Sequence, residues 1–303
     1  MYESDDPRSR MQQGSDGGAR PGFSAAEYLK FQDRGPDESA PYVNTWYGRG
    51  QNFVVGFSRA GPGAVLERSA QPDEYMLLLP ERGAGARITA GAQSLEVAGF
   101  SLVVLPPGPS RIELRQQTSL LRVFSTRNDD LARRASNAAA YAEAHPHIPP
   151  FAPWPDPPGG WRIRAYDLDV PPQPGRFGRI FRCTTMMMNV LPFEAAPRDT
   201  TKLSPHHHED FEQGSFALGG AFVHHIRWPW VANQGHWRDD DHELCPAPSL
   251  AVIPPPAIHT SAEIGTDGNQ LIDIFAPPRM DFSRMPGWVL NAADYPLPDT
   301  PPP

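Results

Sequence analysis

One block of sequence occurs twice, and no other feature limits the possible fold as much. Ser101-Leu-Val-Val-Leu-Pro-Pro-Gly108 matches Ser249-Leu-Ala-Val-Ile-Pro-Pro-Pro256 almost position for position. Leu120-Leu-Arg-Val-Phe124 then matches Leu271-Ile-Asp-Ile-Phe275 in the same order. Matched blocks in matched order describe a chain made of two copies of one unit. Each block is a short apolar run stopped by proline, glycine or a polar turn, so the unit is built of strands. Proline enforces the same conclusion. It accounts for 37 of 303 residues, and each one removes a backbone donor and clashes with the preceding turn of a helix.

Strands are expected at 51–57, 75–79, 86–89, 94–97, 101–105 and 120–124, with Gly/Pro clusters between them. A short helix is expected over Ala25–Phe31, before the Gly35-Pro36 break, and one longer helix over Asp129–Ala144. The proline-rich stretch 145–158 reads as an extended linker. Residues 51–79 parallel 182–218 less closely, with Asp73-Glu74-Tyr75 set against Glu209-Asp210-Phe211. The implied organisation is a disordered or short helical extension (1–40), a first β-unit (41–127), helix and linker (128–160), a second β-unit (161–280) and a tail (281–303).

Composition removes several function classes. The formal charge is −8, and no basic cluster exists to neutralise phosphates, so nucleic acid is excluded as a partner. No apolar run reaches the length of a membrane span, and the acidic, polar N-terminus carries no signal-like apolar core. Cys183 and Cys245 are the only cysteines and read as free thiols. Cytoplasm is the expected location.

The chemistry concentrates in Pro205-His206-His207-His208-Glu209-Asp210-Phe211-Glu212-Gln213 and in His259. On a strand, side chains two apart share a face, so His206 and His208 point together and His207 points away. Glu212, an even step further on, returns to the same side, and His259 comes from a separate strand. Three imidazoles and a carboxylate suit Fe, Mn, Ni, Cu or Zn with positions left open for substrate.

This spacing resembles the two motifs of the cupin superfamily, G-x5-H-x-H-x3,4-E-x6-G and G-x5-P-x-G-x2-H-x3-N. His206-x-His208-x3-Glu212-x6-Gly219 carries the core of the first, and Pro254-x-Pro256-x2-His259 is similar to the second. Thr200 replaces the leading glycine, Pro256 the glycine of the second motif and Glu263 its asparagine. The resemblance spans about residues 43–275 and implies an all-β bicupin, two antiparallel jelly-roll barrels with few short helices. It implies one divalent transition metal (Fe, Mn, Ni or Zn, with iron first) held by His206, His208, Glu212 and His259. Gln213 is the alternative to Glu212, because the motif allows three or four intervening residues. In the first repeat, the aligned blocks set Arg111 against His259 and Met76 against Glu212, so that barrel is expected to be metal-free.

On the next strand, one register turns His225 and Arg227 inward as substrate-contacting catalytic residues, and the other turns in His224 alone; the first is the expectation. Glu263 joins the histidines as a candidate acid/base. Trp228, Trp230 and Trp237 are read as a lid or a homodimer patch, residues 239–243 as a charged solvated loop, and Met186–Met188 as core. The tryptophans and methionines favour an apolar or aromatic small-molecule substrate, hence a dioxygenase or related oxidoreductase. The alternatives are a redox-neutral isomerase, cyclase or lyase, and a non-catalytic binding protein.

Overall fold

The computed structural model describes residues 23–298; most of the expected N-terminal extension lies outside them. The first half carries strands β1 (Glu27–Lys30), β2 (Glu38–Ala40), β3 (Val43–Arg49), β4 (Phe53–Ala60), β5 (Val65–Arg68), β6 (Tyr75–Leu79), β7 (Gly85–Ala90), β8 (Gln93–Ala98), β9 (Ser101–Leu105), β10 (Ser110–Leu114) and β11 (Thr118–Ser125), then helix α1 (Asp129–Arg134). The second half carries β12 (Arg164–Asp167), β13 (Arg179–Arg182), β14 (Met187–Val190), β15 (Glu212–Gly219), β16 (Ala221–Arg227), β17 (Asp241–Pro246), β18 (Ser249–Ile253), β19 (Ile258–Glu263) and β20 (Gln270–Ala276), then helix α2 (Met280–Arg284). No helix among the described residues is long and apolar enough to cross a membrane.

The strands form two antiparallel barrels, each a large sheet facing a small one. The N-terminal barrel has the sheets β12-β9-β6-β11-β4-β3-β2 and β5-β10-β7-β8. The C-terminal barrel has β1-β18-β15-β20-β14-β13 and β17-β16-β19. The run β9-β6-β11-β4-β3 repeats as β18-β15-β20-β14-β13, so the sequence repeat is a topological repeat. The outer edges are exchanged. β1, from the start of the chain, closes the C-terminal sheet against β18, and β12, from the second half, closes the N-terminal sheet against β9.

The large sheets pack face to face. Met76, Leu78, Val104 and Val123 of one meet Met188, Phe216, Val252 and Ile274 of the other in one buried core, with Phe31 and Tyr295 at its margin. This explains why Tyr75–Leu79 reads as an unbroken apolar run. One face lines a barrel and the other is the seam between barrels, so every position is buried.

Two local expectations change. Residues expected to be helical at 25–31 instead form β1 and a 3-10 turn at Phe31–Asp33. Their backbone is satisfied by β18, a partner far away in sequence that no local propensity reveals. The second helix stops at Arg134 and resumes only as a 3-10 turn at Ala138–Tyr141. Between them Asn137 turns its amide onto Arg49, accepting from its N–H (3.0 Å) and donating to its carbonyl (2.8 Å).

The register also corrects the internal alignment. Tyr75 lies opposite Leu105 and Phe124, and Gln213 lies opposite the equivalent Ile253 and Phe275. Tyr75 therefore corresponds to Gln213, and Glu74 to Glu212, a shift of two from the match read in the sequence. Both glutamates are fully buried at the seam, and each is held by the other barrel. Glu212 accepts from the Gln51 N–H (2.7 Å) and the Tyr141 hydroxyl (3.2 Å). Glu74 accepts from the Thr184 N–H (3.2 Å) and the Tyr295 hydroxyl (2.8 Å). Asn291 grips the backbone of Arg182 (3.0 and 2.8 Å) as Asn137 grips Arg49. A second repeat thus emerges, Asn137-Ala-Ala-Ala-Tyr141 and Asn291-Ala-Ala-Asp-Tyr295. Gly50 is required by this contact, since a Cβ there would stand 2.2 Å from Glu212 Oε2.

Candidate metal centre

His206 and His259 lie directly opposite each other, joined by two backbone hydrogen bonds (His206 N–H to His259 O, 3.1 Å; His259 N–H to His206 O, 2.8 Å). Their rings therefore share a face, with centroids 4.6 Å apart. His208 stands 5.0 Å from His259 and 6.3 Å from His206 by the same measure. Rings that bind one ion at about 2.0–2.1 Å at right angles would have centroids roughly 4.5 Å apart; the His206–His259 and His208–His259 pairs come near this spacing and the His206–His208 pair is wider. His208 and His259 are buried, while His206 is exposed at the barrel mouth. His207 is exposed as well.

The fourth group is Gln213, not Glu212. Gln213 Oε1 lies 3.1 Å from His208 Nε2 and 3.3 Å from His259 Nε2, whereas Glu212 points through the sheet to the seam. The expected alternation fails because residues 209–211 are not strand but a bend and loop leading into β15. The even step from His208 to Glu212 is thereby lost, and neighbours 212 and 213 take opposite faces. In motif terms four residues separate His208 from Gln213, and the glycine that follows six intervening residues is Gly220, whose φ of +78° suits glycine.

Two of the imidazoles are anchored through Nδ1, while His208 Nδ1 is buried without a partner. His206 Nδ1–H is used on the Ser204 carbonyl (2.9 Å) and His259 Nδ1–H on the Ala257 carbonyl (3.0 Å). Such anchoring leaves Nε2 as the ligand atom. Burial, helped by the mutual repulsion of the imidazoles, pushes His208 down to about 2. Burial pushes His259 down to about 4. Both rings are neutral near pH 7. In His259, then, an unprotonated nitrogen faces the amide oxygen of Gln213 at 3.3 Å. Two acceptors in that position want a cation between them. Among the described residues no three His, Cys, Asp or Glu side chains close around a common point by themselves; the amide oxygen of Gln213 stands beside two of the imidazoles.

Beneath the histidines the lining is polar. Gln213 Nε2 donates to Ser215 Oγ (3.0 Å) and Asp273 Oδ1 (3.3 Å), and Ser215 Oγ donates to the same carboxylate (2.8 Å). Burial raises Asp273 to about 6 despite these donors. His208 stacks on Phe211 (3.8 Å between centroids). Phe211 in turn lies against the guanidinium of Arg279 (4.7 Å).

The neighbouring strand takes the register opposite to the expected one. His224 faces inward beside Phe222 and Ile226, 1% exposed, with Nδ1 on Ser261 Oγ (2.8 Å) and Nε2 buried without a partner. Burial pushes its pKa down to about 3. His225 and Arg227, expected to contact substrate, face outward. His225 pairs with His242 (2.8 Å) and Arg227 with Asp240 (2.6 Å). The reason is packing, since the apolar Phe222 and Ile226 take the inner face and carry His224 with them. Replacing either outward residue by alanine should change stability by less than about 0.5 kcal/mol and leave metal binding intact, as read by denaturant melts and metal titration. Glu263 shares the inner face through its pairing with Phe222.

Met186 and Met188 lie in the core between the barrels. Trp228 packs on Ile226, Ile253 and Ala257. Trp230 and Trp237 stack on each other (4.7 Å) in the loop before β17. Met187 packs with Phe211 and Phe275, and through Phe211 borders His208.

The N-terminal barrel offers a contrast. Tyr75, Leu77 and Arg122 occupy the positions of Gln213, Ser215 and Asp273, and Tyr75 bonds Ser110 Oγ (2.8 Å) where Gln213 meets His259. The inward residue matching His259 is thus Ser110. Arg111, set against it by the block alignment, points outward to Glu67; the connection from β18 to β19 has one residue more. Apolar side chains such as Val54, Leu79, Ile88 and Ile112 fill that barrel.

No family model matches the sequence, and no curated protein matches it. Solved structures are similar in fold. A tryptophan-to-tyrosine variant of oxalate decarboxylase from Bacillus subtilis superposes with a TM-score of 0.55 at 14% identity, covering 89% of this chain and 83% of that one. Oxalate decarboxylase from Lactobacillus farciminis, in a formate complex, gives 0.53 at 15% identity, covering 89% of each chain. AerE from Microcystis aeruginosa gives 0.52 at 11% identity, covering 84% of this chain and 98% of that one. With two antiparallel barrels, exchanged edge strands and these neighbours, the chain has the bicupin fold.

Proposed function

We propose that this chain is a metal-dependent enzyme acting on a small anionic organic substrate, with one divalent ion held in the C-terminal barrel by His206, His208, His259 and Gln213. The observation that carries the reading is the approach of Gln213 Oε1 to the Nε2 atoms of His208 and His259 (3.1 and 3.3 Å). A Bacillus subtilis neighbour has Mn(II) centres, in keeping with a divalent transition metal here. Such an ion would polarise a carboxylate, carbonyl or enolate oxygen. All four donors are neutral, so the ion's full charge would be left for the substrate, which favours an anion.

The polar lining supports redox-neutral bond cleavage or isomerisation over dioxygenation. Of the residues that favoured oxidation of an aromatic substrate, Met186 and Met188 lie between the barrels and Trp230 and Trp237 in the loop before β17. His224 is placed to hold or move a proton on the substrate through Nε2, since Ser261 already fixes Nδ1. His224→Gln should lower kcat by about 10²-fold or more with metal content unchanged.

Elemental analysis of the purified protein, followed by a panel of small di- and keto-carboxylates and enolisable diketones in an oxygen electrode, tests the reading. Turnover without oxygen uptake is expected. Oxygen consumed in step with product would restore the dioxygenase, and bound metal without turnover would leave a binding protein. Absence of any bound divalent metal would sink the proposal.

A further inference from the structure

The donor set has one chemical ambiguity, and the structure supplies the means to remove it. A glutamine can present its oxygen or its NH2 group; only the oxygen can face an ion. We infer that Asp273, acting through Ser215, is the positioning residue that holds the Gln213 oxygen towards the histidines and supplies negative charge to the centre from behind it. The inference rests on the metal-centre reading above.

Three observations carry it. First, the hydrogen-bond directions are forced. Asp273, ionised, can only accept; Ser215 Oγ donates to it (2.8 Å) and must therefore accept from Gln213 (3.0 Å). The amide nitrogen also approaches the same carboxylate oxygen (3.3 Å). The NH2 group is thus held on the Asp273 side, and Oε1 is the atom left facing His208 and His259. Second, all three residues are buried, so water cannot substitute for the arrangement or reorient the amide.

Third, the two barrels form an internal control. The equivalent positions in the N-terminal barrel are Tyr75, Leu77 and Arg122, at the same places on the equivalent strands. All three differ together, and the Gln-Ser-Asp set occurs in the barrel that holds the histidines. A residue needed only to fill the barrel would not require this coupled change. The arrangement also moves the centre's carboxylate one hydrogen bond back from the ion, instead of placing it in direct contact as Glu212 would have been. The ion then keeps more of its charge for an anionic substrate while the site as a whole is partly neutralised.

The test is Mn2+ affinity, measured by chelator competition, with circular dichroism to check folding. Asp273→Asn can donate as well as accept, so it no longer dictates the amide's orientation. Its affinity should fall by about 10- to 100-fold. Ser215→Ala, which removes the link between amide and carboxylate, should lower affinity in the same direction and decides the matter if Asp273→Asn does not fold. In the double variant Gln213→Glu with Asp273→Asn, the charge moves to the ligand itself, whose two oxygens have no wrong end. Affinity should return to the wild-type level or exceed it. A merely structural role for Asp273 would not give that rescue. Wild-type affinity in both Asp273→Asn and Ser215→Ala, or a double variant no tighter than Asp273→Asn, would overturn the inference. Wild-type protein that takes up no Mn2+, Fe2+ or Zn2+ would instead overturn the metal reading itself.

Discussion

Replacing His208 or His259 by alanine is expected to abolish retention of a divalent metal, and with it turnover, while His207→Ala retains both. Each buried ring contributes a neutral nitrogen that points at the Gln213 oxygen. Removing a ligand costs more than the roughly 10- to 100-fold penalty for removing a residue behind it. His207 is exposed and outside the cluster, so it serves as the matched control within the same triplet. The pH dependence is distinctive. A solvated histidine with a pKa of about 6.5 loses a metal to protons just below neutrality. His208 and His259, pushed down to about 2 and about 4, should stay unprotonated and able to bind the ion at pH 5. Metal content after dialysis at pH 7 and pH 5, beside thermal melts that confirm folding, gives the answer. A metal-replete His208→Ala, His259→Ala pair would remove these residues from the site.

Glu212→Gln should leave metal binding unchanged and make the protein more stable above pH 7. Burial raises the Glu212 carboxyl from 4.5 to about 7, against the hydrogen bonds from Gln51 and Tyr141 that lower it. The folded state therefore holds a proton that the unfolded chain releases. This contribution is fully present below pH 4.5 and is lost as pH rises through about 7. A shift of that size corresponds to a loss on the order of 3 kcal/mol across that window. Glutamine keeps an acceptor for the Gln51 N–H and offers an NH2 group to the Tyr141 oxygen, without a charge to desolvate. Denaturant melts at pH 4.5 and pH 8 should show a steeper decline in wild type than in Glu212→Gln. Equal declines would mean that Glu212 titrates as a solvated carboxyl.

These two residues also mark how far the sequence can be read. The two β-units, the strand at Tyr75–Leu79 and the strand at Ser101–Leu105 are legible because apolar runs and prolines are local signals. The histidine spacing is legible for the same reason. The choice between Glu212 and Gln213 is not, because it turns on a bend at 209–211 that breaks strand alternation. Nor is the choice between His224 and His225, since either register of β16 keeps a histidine inside; the bulk of Phe222 and Ile226 decides it. The strand at Glu27–Lys30 was hidden because its partner is far away in sequence. The repeat of Asn137 to Tyr141 in Asn291 to Tyr295 was visible in the letters, but its meaning depends on the two buried glutamates that those tyrosines meet.

The exchange of edge strands has a consequence for how the chain assembles during synthesis. β1 precedes the other described strands in synthesis, yet its partner β18 follows roughly 220 residues later. The first barrel, in turn, lacks its outermost strand until β12 has been made, well into the second half. The N-terminal half is thus unfinished when its own repeat has been translated, and the C-terminal half is finished only by a strand made before its repeat began. A chain cut at the linker would release two fragments, each with a bare sheet edge shaped to accept a strand from the other. Mixed together, such fragments should recognise one another by that edge and restore the two-barrel protein.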